Sequence, residues 1–150
     1  MLICCAAFLF AGSPAEAAVG RIIKVLPQFL DADGRNSVSP SLYERDAYQV
    51  YLRDHPEKRS GMKFYVEWKV KGPTWERLKV RLELRGSAQG ALPKGMVKEQ
   101  FLSNSGGWFP HWSALTLTGG EYQQLGAVTA WRVTLWEGEN LLGEQRSFLW

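Results

Sequence analysis

The 150-residue chain has the length of one globular domain, and its residues are 45% apolar and 22% charged. This composition excludes a disordered or fibrous protein. Its 18 basic and 15 acidic residues give a net charge of +3, spread along the chain, which predicts solubility and no nucleic-acid partner. Seven tryptophans are many for this length. Because large aromatic side chains bury much area, we expect most of them in the core.

Residues 1–17 have the pattern of a secretory signal peptide. An apolar run over residues 2–11 is broken at residues 12–14, and Ala15 and Ala17 stand at the −3 and −1 positions before Ala18. The run is too short to span a bilayer as a permanent helix. No Lys or Arg precedes it, so a buried N-terminal helix is the alternative. We expect cleavage, leaving residues 18–150 as one extracytoplasmic (periplasmic or secreted) domain without a transmembrane span.

Both cysteines of the chain, Cys4 and Cys5, lie inside this apolar run. Cleavage therefore leaves no disulfide, thiolate nucleophile or cysteine metal ligand in the mature chain. Cleavage also removes Glu16, so that 18 basic residues face 14 acidic ones and the mature net charge is +4.

The mature chain begins with a predicted strand and turn. Residues 21–30 form the strand, and Pro27 indicates an edge position because proline cannot donate to a ladder. Residues 31–36 are rich in Asp, Gly and Asn and predict a turn. They are similar to a calcium loop at first sight, but Gly34 stands at loop position four, counting Asp31 as position one, rather than at position six, so we expect no calcium site.

A helix of about four turns is predicted next. Ser39 with Pro40 would cap its start, and Ser41 with Glu44 is the alternative capping box. His55-Pro56 ends the pattern. The side chains expected to face the sheet form one apolar stripe: Leu42, Tyr43, Ala47, Val50 and Tyr51.

The remaining sequence has the pattern of antiparallel strands, each with one dry face and one wet face. Trp68, Val80 and Trp131 are among the residues expected to point inward. The predicted segments are 61–72, 76–86, 96–103, 112–118, 127–136 and 141–150, and the last two form a hairpin. We therefore predict a mainly β fold, an antiparallel immunoglobulin-like sandwich of about seven strands with one helix inserted after the first strand.

The segment 61–150 resembles immunoglobulin-like and fibronectin type III-like domains of exported bacterial-type proteins. Leu115-x-Leu117 followed by Tyr122 is similar to the corner of such folds, where a tyrosine hydroxyl caps backbone groups. Trp68 stands where fibronectin type III-like domains often have a core tryptophan. No cysteine pair brackets Trp68, which excludes an antibody-type domain. The resemblance implies a scaffold for binding rather than a chemistry.

One aromatic segment, Trp108-Phe109-Pro110-His111-Trp112, is the most suggestive surface feature. Exposed rings can stack on sugars or anchor a protein partner. Trp75, beside a turn, would extend the same surface. The opposite interpretation is that the rings plug the open end of the sandwich. The candidate binding residues are therefore Trp108, Phe109, His111, Trp112 and Trp75.

The sequence indicates no catalytic residue, metal or cofactor. His55 and His111 are distant and lack cysteine partners, which argues against zinc. His55 is interpreted as a helix-end residue and His111 as a packing or hydrogen-bonding residue. Glu67 and Glu83 point outward between basic residues, which favours an ion-pair lattice over a glycosidase pair.

These observations predict a non-catalytic extracytoplasmic module that recognises a protein partner through loops or a sheet edge. A carbohydrate-binding module that uses Trp108 and Trp112 is the alternative from a different class. A small hydrolase is the third interpretation, since carboxylates are available on the strands.

Overall fold

The computed structural model describes residues 18–87, 94–103 and 107–150, so the predicted signal peptide, Cys4 and Cys5 lie outside the described residues. The described residues form seven strands and two helices. The strands are β1 (Val19–Asp31), β2 (Arg59–Lys71), β3 (Leu78–Ser87), β4 (Lys94–Phe101), β5 (His111–Thr118), β6 (Ala127–Glu137) and β7 (Asn140–Arg146). The helices are α1 (Leu42–Asp54) and α2 (Gly119–Leu125), with a 3-10 turn at Pro56–Lys58.

The strands divide between two sheets. The three-stranded sheet has the order β1-β2-β5, and the four-stranded sheet has the order β4-β3-β6-β7. All neighbouring strands pair in antiparallel fashion, and β6 and β7 form the predicted hairpin around Gly138. The mainly β sandwich with a helix after the first strand confirms the predicted fold class.

The core lies between the two sheets and is filled by alternate residues of the strands. Trp68 of β2 and Val80 of β3 are at most 1% exposed. The Trp68 indole N–H donates to Ser113 Oγ at 2.9 Å, which satisfies the one polar atom of the largest buried side chain. The other inward positions of these two strands are also buried: Phe64, Val66, Val70, Leu78, Leu82 and Leu84.

The expectation that most tryptophans lie in the core is wrong. Trp68 alone among the seven is buried, and Trp131 packs against the core while partly exposed. Trp75, Trp108 and Trp112 are exposed. The reason is positional, because most inward strand positions are aliphatic, whereas these three tryptophans occupy connections or the outer face of a strand.

β1 is the edge strand that Pro27 predicted. Its outward backbone is covered at Phe29 by the side-chain amide of Gln49 from α1. Gln49 Oε1 accepts from the Phe29 N–H at 2.7 Å, and Gln49 Nε2 donates to the Phe29 carbonyl at 3.0 Å and to the Asn36 carbonyl at 2.8 Å. A side chain thus replaces the missing neighbouring strand at this point and covers part of the edge.

The ends of α1 are close to those predicted. Ser41 rather than Ser39 is the N-cap, and its hydroxyl accepts from the Glu44 N–H at 3.5 Å. The Ser41 N–H donates to Ser39 Oγ at 3.2 Å, where a capping box would have the Glu44 side chain. His55 lies at the C-cap, where its ring stacks on Tyr51 at 4.3 Å and its Nδ1 lies 2.8 Å from the Tyr51 carbonyl. His55 is therefore a helix-end residue, as predicted.

The predicted docking face of α1 is wrong. Leu42, Tyr43 and Val50 are 66%, 83% and 50% exposed, whereas Leu52 is fully buried. The helix turns Gln49 and its neighbour Tyr48 toward β1, where hydrogen bonds attach it. The polar contacts of Gln49 and Tyr48, together with the one buried apolar side chain, Leu52, set the rotation of α1, and the hydrophobic periodicity could not show this.

The turn after β1 is organised by the buried carboxylate of Asp31. Its Oδ1 accepts from the Asp33 and Arg35 N–H groups at 2.9 and 2.8 Å. Its Oδ2 accepts from the Tyr48 hydroxyl at 2.7 Å and from Arg35 Nε at 3.1 Å. Burial acts to raise the pKa of Asp31, but these hydrogen bonds outweigh it and lower the pKa. Gly34, with φ of 75°, allows the reversal that the turn needs.

α2 was not predicted, since Gly119-Gly120 indicated only a break between strands. It connects β5 to β6, with Leu125 buried and the Tyr122 ring packed against the core. The resemblance implies that the Tyr122 hydroxyl caps backbone groups, and this role stays a prediction. The Tyr122 ring has a packing role.

Two glycines bring the sheets together along one side of the sandwich, where β1 crosses β7. A Cβ on Gly20 would lie 2.6 Å from the Leu142 Cβ, and a Cβ on Gly143 would lie 2.9 Å from the Arg21 Cα. Only glycine permits this approach at either position. The edges of β4 and β5 lie on the opposite side.

The outer face of the four-stranded sheet bears the predicted ion-pair lattice around Glu83. Glu83 accepts from Arg132 Nε and pairs with Arg81 at 2.9 Å. The Arg132 hydrogen bond is the largest influence on the Glu83 carboxyl, and it lowers the pKa. The predicted last strand is shorter than expected, and the tail after Arg146 places the Trp150 ring 4.1 Å from the Arg85 guanidinium carbon.

Candidate functional site

The aromatic candidates lie mainly at one end of the sandwich. The connection from β2 to β3, the described part of the connection from β4 to β5, and the turn from β6 to β7 all meet there. Trp75, Trp108 and Phe109 project from these connections and are 79%, 83% and 80% exposed. We call these three side chains the loop aromatics. Their exposure shows that the alternative of rings plugging the sandwich is wrong for them.

The backbone that presents Trp75 is held by a buried acid. Glu137 is 6% exposed, and its Oε1 accepts from the N–H groups of Trp75 and Glu76 at 2.5 and 3.2 Å. The Gly138 N–H also donates to the Arg77 carbonyl at 3.3 Å. Gly138 has φ of 53°, and the Glu76 carboxylate lies against it where a side chain would start. The loop is therefore fixed while its indole ring stays in solvent.

The backbone that presents Trp108 is attached to the end of β2. The Gly107 N–H donates to the Val70 carbonyl at 3.0 Å, and Lys71 Nζ lies 6.0 Å from the centre of the Trp108 ring. The cation approaches the ring from one side at the outer limit of a cation–π contact. Trp108 thus combines an ordered backbone with a largely open ring.

His111 and Trp112 are neighbours in sequence but lie in different environments. The His111 ring stacks on buried Trp68 with centroids 4.9 Å apart, so His111 has the packing role that was predicted. Trp112 projects from the outer face of the three-stranded sheet opposite Glu67 and is 51% exposed.

Trp108 and Trp112 lie beside different stretches of β2. Trp112 pairs with Glu67, whereas Trp108 lies near Lys71, four residues further along β2. Four residues of antiparallel strand span about 13 Å. The five predicted residues therefore separate into the loop aromatics, the supporting His111, and Trp112 on the sheet face.

Trp112 forms one wall of a cleft of about 280 Å³ on the outer face of the three-stranded sheet. The sequence did not predict this cleft, because its residues come from β1, the following turn, α1, β2 and β5. The signal present in the sequence was only that several outward positions are polar or aromatic. Besides Trp112, the lining residues are Leu26, Gln28, Asn36, Arg45 and Tyr65.

A larger cavity of about 580 Å³ lies at the opposite end of the sandwich, beside α2. Its charged residue, Arg59, donates to the carbonyls of Leu52 and Arg53 at the end of α1. The Arg59 guanidinium carbon also lies 4.1 Å from the centre of the Phe29 ring. The guanidinium is therefore used to dock the helix. The other polar side chains that line this cavity are uncharged: Ser60, Thr118, Tyr122 and Gln123.

Across residues 18–87, 94–103 and 107–150, His, Cys, Asp and Glu form no group of three or more that could hold a metal ion. Over the same ranges, no helix is long and apolar enough to cross a membrane.

No family model, curated protein or solved structure matches this chain. The fold and the site define it as a two-sheet antiparallel β-sandwich with exposed aromatic side chains on the connections at one end.

Proposed function

We propose that this chain is a non-catalytic binding module that recognises a protein partner through the loop aromatics. The observation that supports the proposal most is the exposure of Trp75, Trp108 and Phe109, each about four-fifths in solvent. Burying a side chain such as Phe109 contributes about 1.5–3 kcal/mol, which a partner covering it would recover. Exposed apolar groups collected in one region are typical of interaction sites, and tryptophan is favoured where binding energy concentrates.

Ordered presentation of the loop aromatics supports the same proposal. Glu137 binds the backbone N–H groups of Trp75 and Glu76, and the Gly107 N–H next to Trp108 donates to the Val70 carbonyl, so that the backbone beside these rings is attached to the sheets. A binding loop that is already ordered loses less conformational entropy on association. The free energy gained by burying the rings would then contribute largely to the binding affinity.

The proposal includes an immunoglobulin-like or fibronectin type III-like scaffold. The division into sheets of three and four antiparallel strands and the buried Trp68 support it. Such scaffolds display variable loops from rigid sheets. The sequence pattern of residues 1–17 supports an extracytoplasmic location, periplasmic or secreted.

The other two interpretations have weaker support. A carbohydrate site that joins Trp108 and Trp112 would have to bridge the stretch of β2 between Lys71, which is near Trp108, and Glu67, which stands opposite Trp112. A hydrolase would need free acids. The carboxylates of Asp31 and Glu83 are engaged by hydrogen bonds and arginines.

The export part of the proposal has a direct test. Intact mass spectrometry of the protein isolated from a secreting bacterial host should give a chain beginning at Ala18. An unprocessed chain that stays in the cytoplasm would contradict the extracytoplasmic assignment.

Photo-crosslinking tests the binding surface. A photoreactive amino acid in place of Trp108 should give one discrete protein adduct in the native envelope, and Trp75→Ser with Phe109→Ser should abolish it. The matched control is the same probe at Phe148, which is fully exposed beyond β7 at the opposite end. Equal adducts from both probes, or none from Trp108, would overturn the proposal.

A further inference from the structure

The cleft beside Trp112 contains polar groups that neither the core nor the loop aromatics need. Its floor is formed by Leu26 of β1 and Tyr65 of β2, which are cross-strand partners. Directly across from Tyr65 on β5 stands Ala114. The single methyl group of Ala114 leaves space beside the Trp112 ring.

The polar side of the cleft is held in place by an internal network. Asn36 Nδ2 donates to Gln28 Oε1 and lies 3.3 Å from the Tyr65 hydroxyl oxygen. Gln28 is only 7% exposed although its side chain is an amide. Because its carbonyl oxygen is occupied by Asn36, the Gln28 –NH₂ group is the donor left for a ligand. A buried amide placed at a cleft in this way is an ordered recognition group rather than a solvated surface side chain.

The remaining groups give the cleft both donors and acceptors. The Tyr65 hydroxyl accepts from Asn36 Nδ2 and keeps its own proton to donate, and the side-chain oxygen Oδ1 of Asn36 is an acceptor. Arg45 lies over the cleft with its side chain 31% exposed, and its guanidinium pairs with Asp46 at 3.3 Å. Asp46 offsets the charge of Arg45. A second cation, Lys63, lies with its Nζ 5.0 Å from the centre of the Tyr65 ring, and Glu67 stands opposite Trp112 on the same face, so that the charges around the cleft are balanced.

We propose that this cleft binds one ring of a neutral glycan, stacked on Trp112. An aromatic wall next to a mixed set of donors and acceptors matches a sugar, because each hydroxyl both donates and accepts while the ring carbons present an apolar face. A phosphate or carboxylate would require donors only and an unpaired cation. The volume of about 280 Å³ lies below the range for drug-sized ligands, which fits a single ring.

This site is separate from the proposed protein-binding surface. It uses Trp112 on the sheet face, whereas the loop aromatics stand at the end of the sandwich. The two proposals can therefore fail independently.

Titration by NMR tests the site, with the Trp112 indole N–H as the reporter. The probes are cellotriose, maltotriose and chitotriose, with digalacturonic acid as the charged comparison. We expect a saturable shift of the Trp112 signal with at least one neutral probe. Trp112→Ala and Arg45→Met should each weaken binding at least about tenfold, measured by calorimetry.

Trp108→Ala is the matched control, and it should leave the affinity unchanged. Circular dichroism and thermal unfolding of each variant establish that its fold is intact. Absence of a saturable shift with all three neutral probes would overturn the site. A stronger response to digalacturonic acid would overturn the neutral assignment, and loss of binding in Trp108→Ala but not in Trp112→Ala would move the sugar site to the loops.

Discussion

The buried carboxylate of Glu137 accepts a hydrogen bond from the backbone N–H of Trp75 at 2.5 Å, joining residues 62 positions apart. This contact links the end of β6 to the loop between β2 and β3. It is the clearest example of a structural residue that serves the candidate binding surface.

Replacement of Glu137 by alanine should free the loop that presents Trp75. Two N–H groups lose their acceptor, so the free energy of unfolding is expected to fall by about 1–3 kcal/mol, and the backbone order parameter of Trp75 should fall with it. Urea denaturation and ¹⁵N relaxation measure the two effects. Glu139→Ala, at an exposed position in the adjacent turn, is the control and should stay within about 0.5 kcal/mol. Equal effects of the two substitutions would mean that Glu137 does not order the loop.

The docking face of α1 can be tested by a pair of substitutions. Leu52→Ala removes a fully buried side chain and should cost about 2–5 kcal/mol. Val50→Ala removes a half-exposed one and should cost within about 0.5 kcal/mol. Chemical denaturation measures both costs. A larger cost for Val50→Ala than for Leu52→Ala would support the helix rotation that the apolar stripe predicted.

Gln49→Ala should uncover the edge of β1. The backbone groups of Phe29 lose their side-chain partner, so we expect a loss of about 1–3 kcal/mol and faster amide hydrogen exchange at Phe29. Gln124→Ala, at an exposed position on α2, provides the comparison. Unchanged exchange at Phe29 in the Gln49 variant would contradict the edge-covering role.

Ser113→Ala should leave the buried Trp68 indole N–H without its acceptor. The expected cost is about 1–3 kcal/mol. In a Trp68→Phe background, which has no indole N–H, the same substitution should cost much less, because the coupling between the two side chains has been removed. A double-mutant cycle by denaturation measures this coupling, and additive costs would show that the hydrogen bond contributes nothing.

Acid should destabilise the fold through Asp31 and Glu83, whose pKa values are both lowered in the folded state. Below a pH of about 4 the unfolded chain binds protons that the folded chain does not. The free energy of unfolding should therefore be constant near neutral pH and fall as the pH drops through the folded pKa values. Denaturation at a series of pH values measures the slope, and Glu83→Gln should make it shallower. An unchanged slope in that variant would show that Glu83 does not contribute to the loss of stability in acid.

The sequence was sufficient for the β core because alternation along a strand is a local property. Phe64, Val66 and Leu82 are buried for the reason that their spacing indicated. The edge position of β1 followed equally from the chemistry of Pro27. In both cases the residues on which the prediction depends lie within a few positions of the feature that they predict.

Features that depend on distant partners could not be predicted. α1 is rotated by the contacts of Gln49 and Tyr48 with β1, and no pattern within the helix shows them. The cleft required Gln28, Asn36 and Tyr65 to meet, although Asn36 and Tyr65 are 29 residues apart in the chain. The exposure of Trp75 and Trp108 likewise depends on which core positions other side chains already fill.

The close approaches at Gly20 and Gly143 hold β1 against β7. We expect this margin of the sandwich to act as the hinge when the two sheets move apart. Breathing motions that part the sheets should then begin at the opposite margin, along β4 and β5, where the described residues include no glycine pair that brings the two sheets as close. Trp112 lies on β5, so it stands at the margin where we expect such motions to begin.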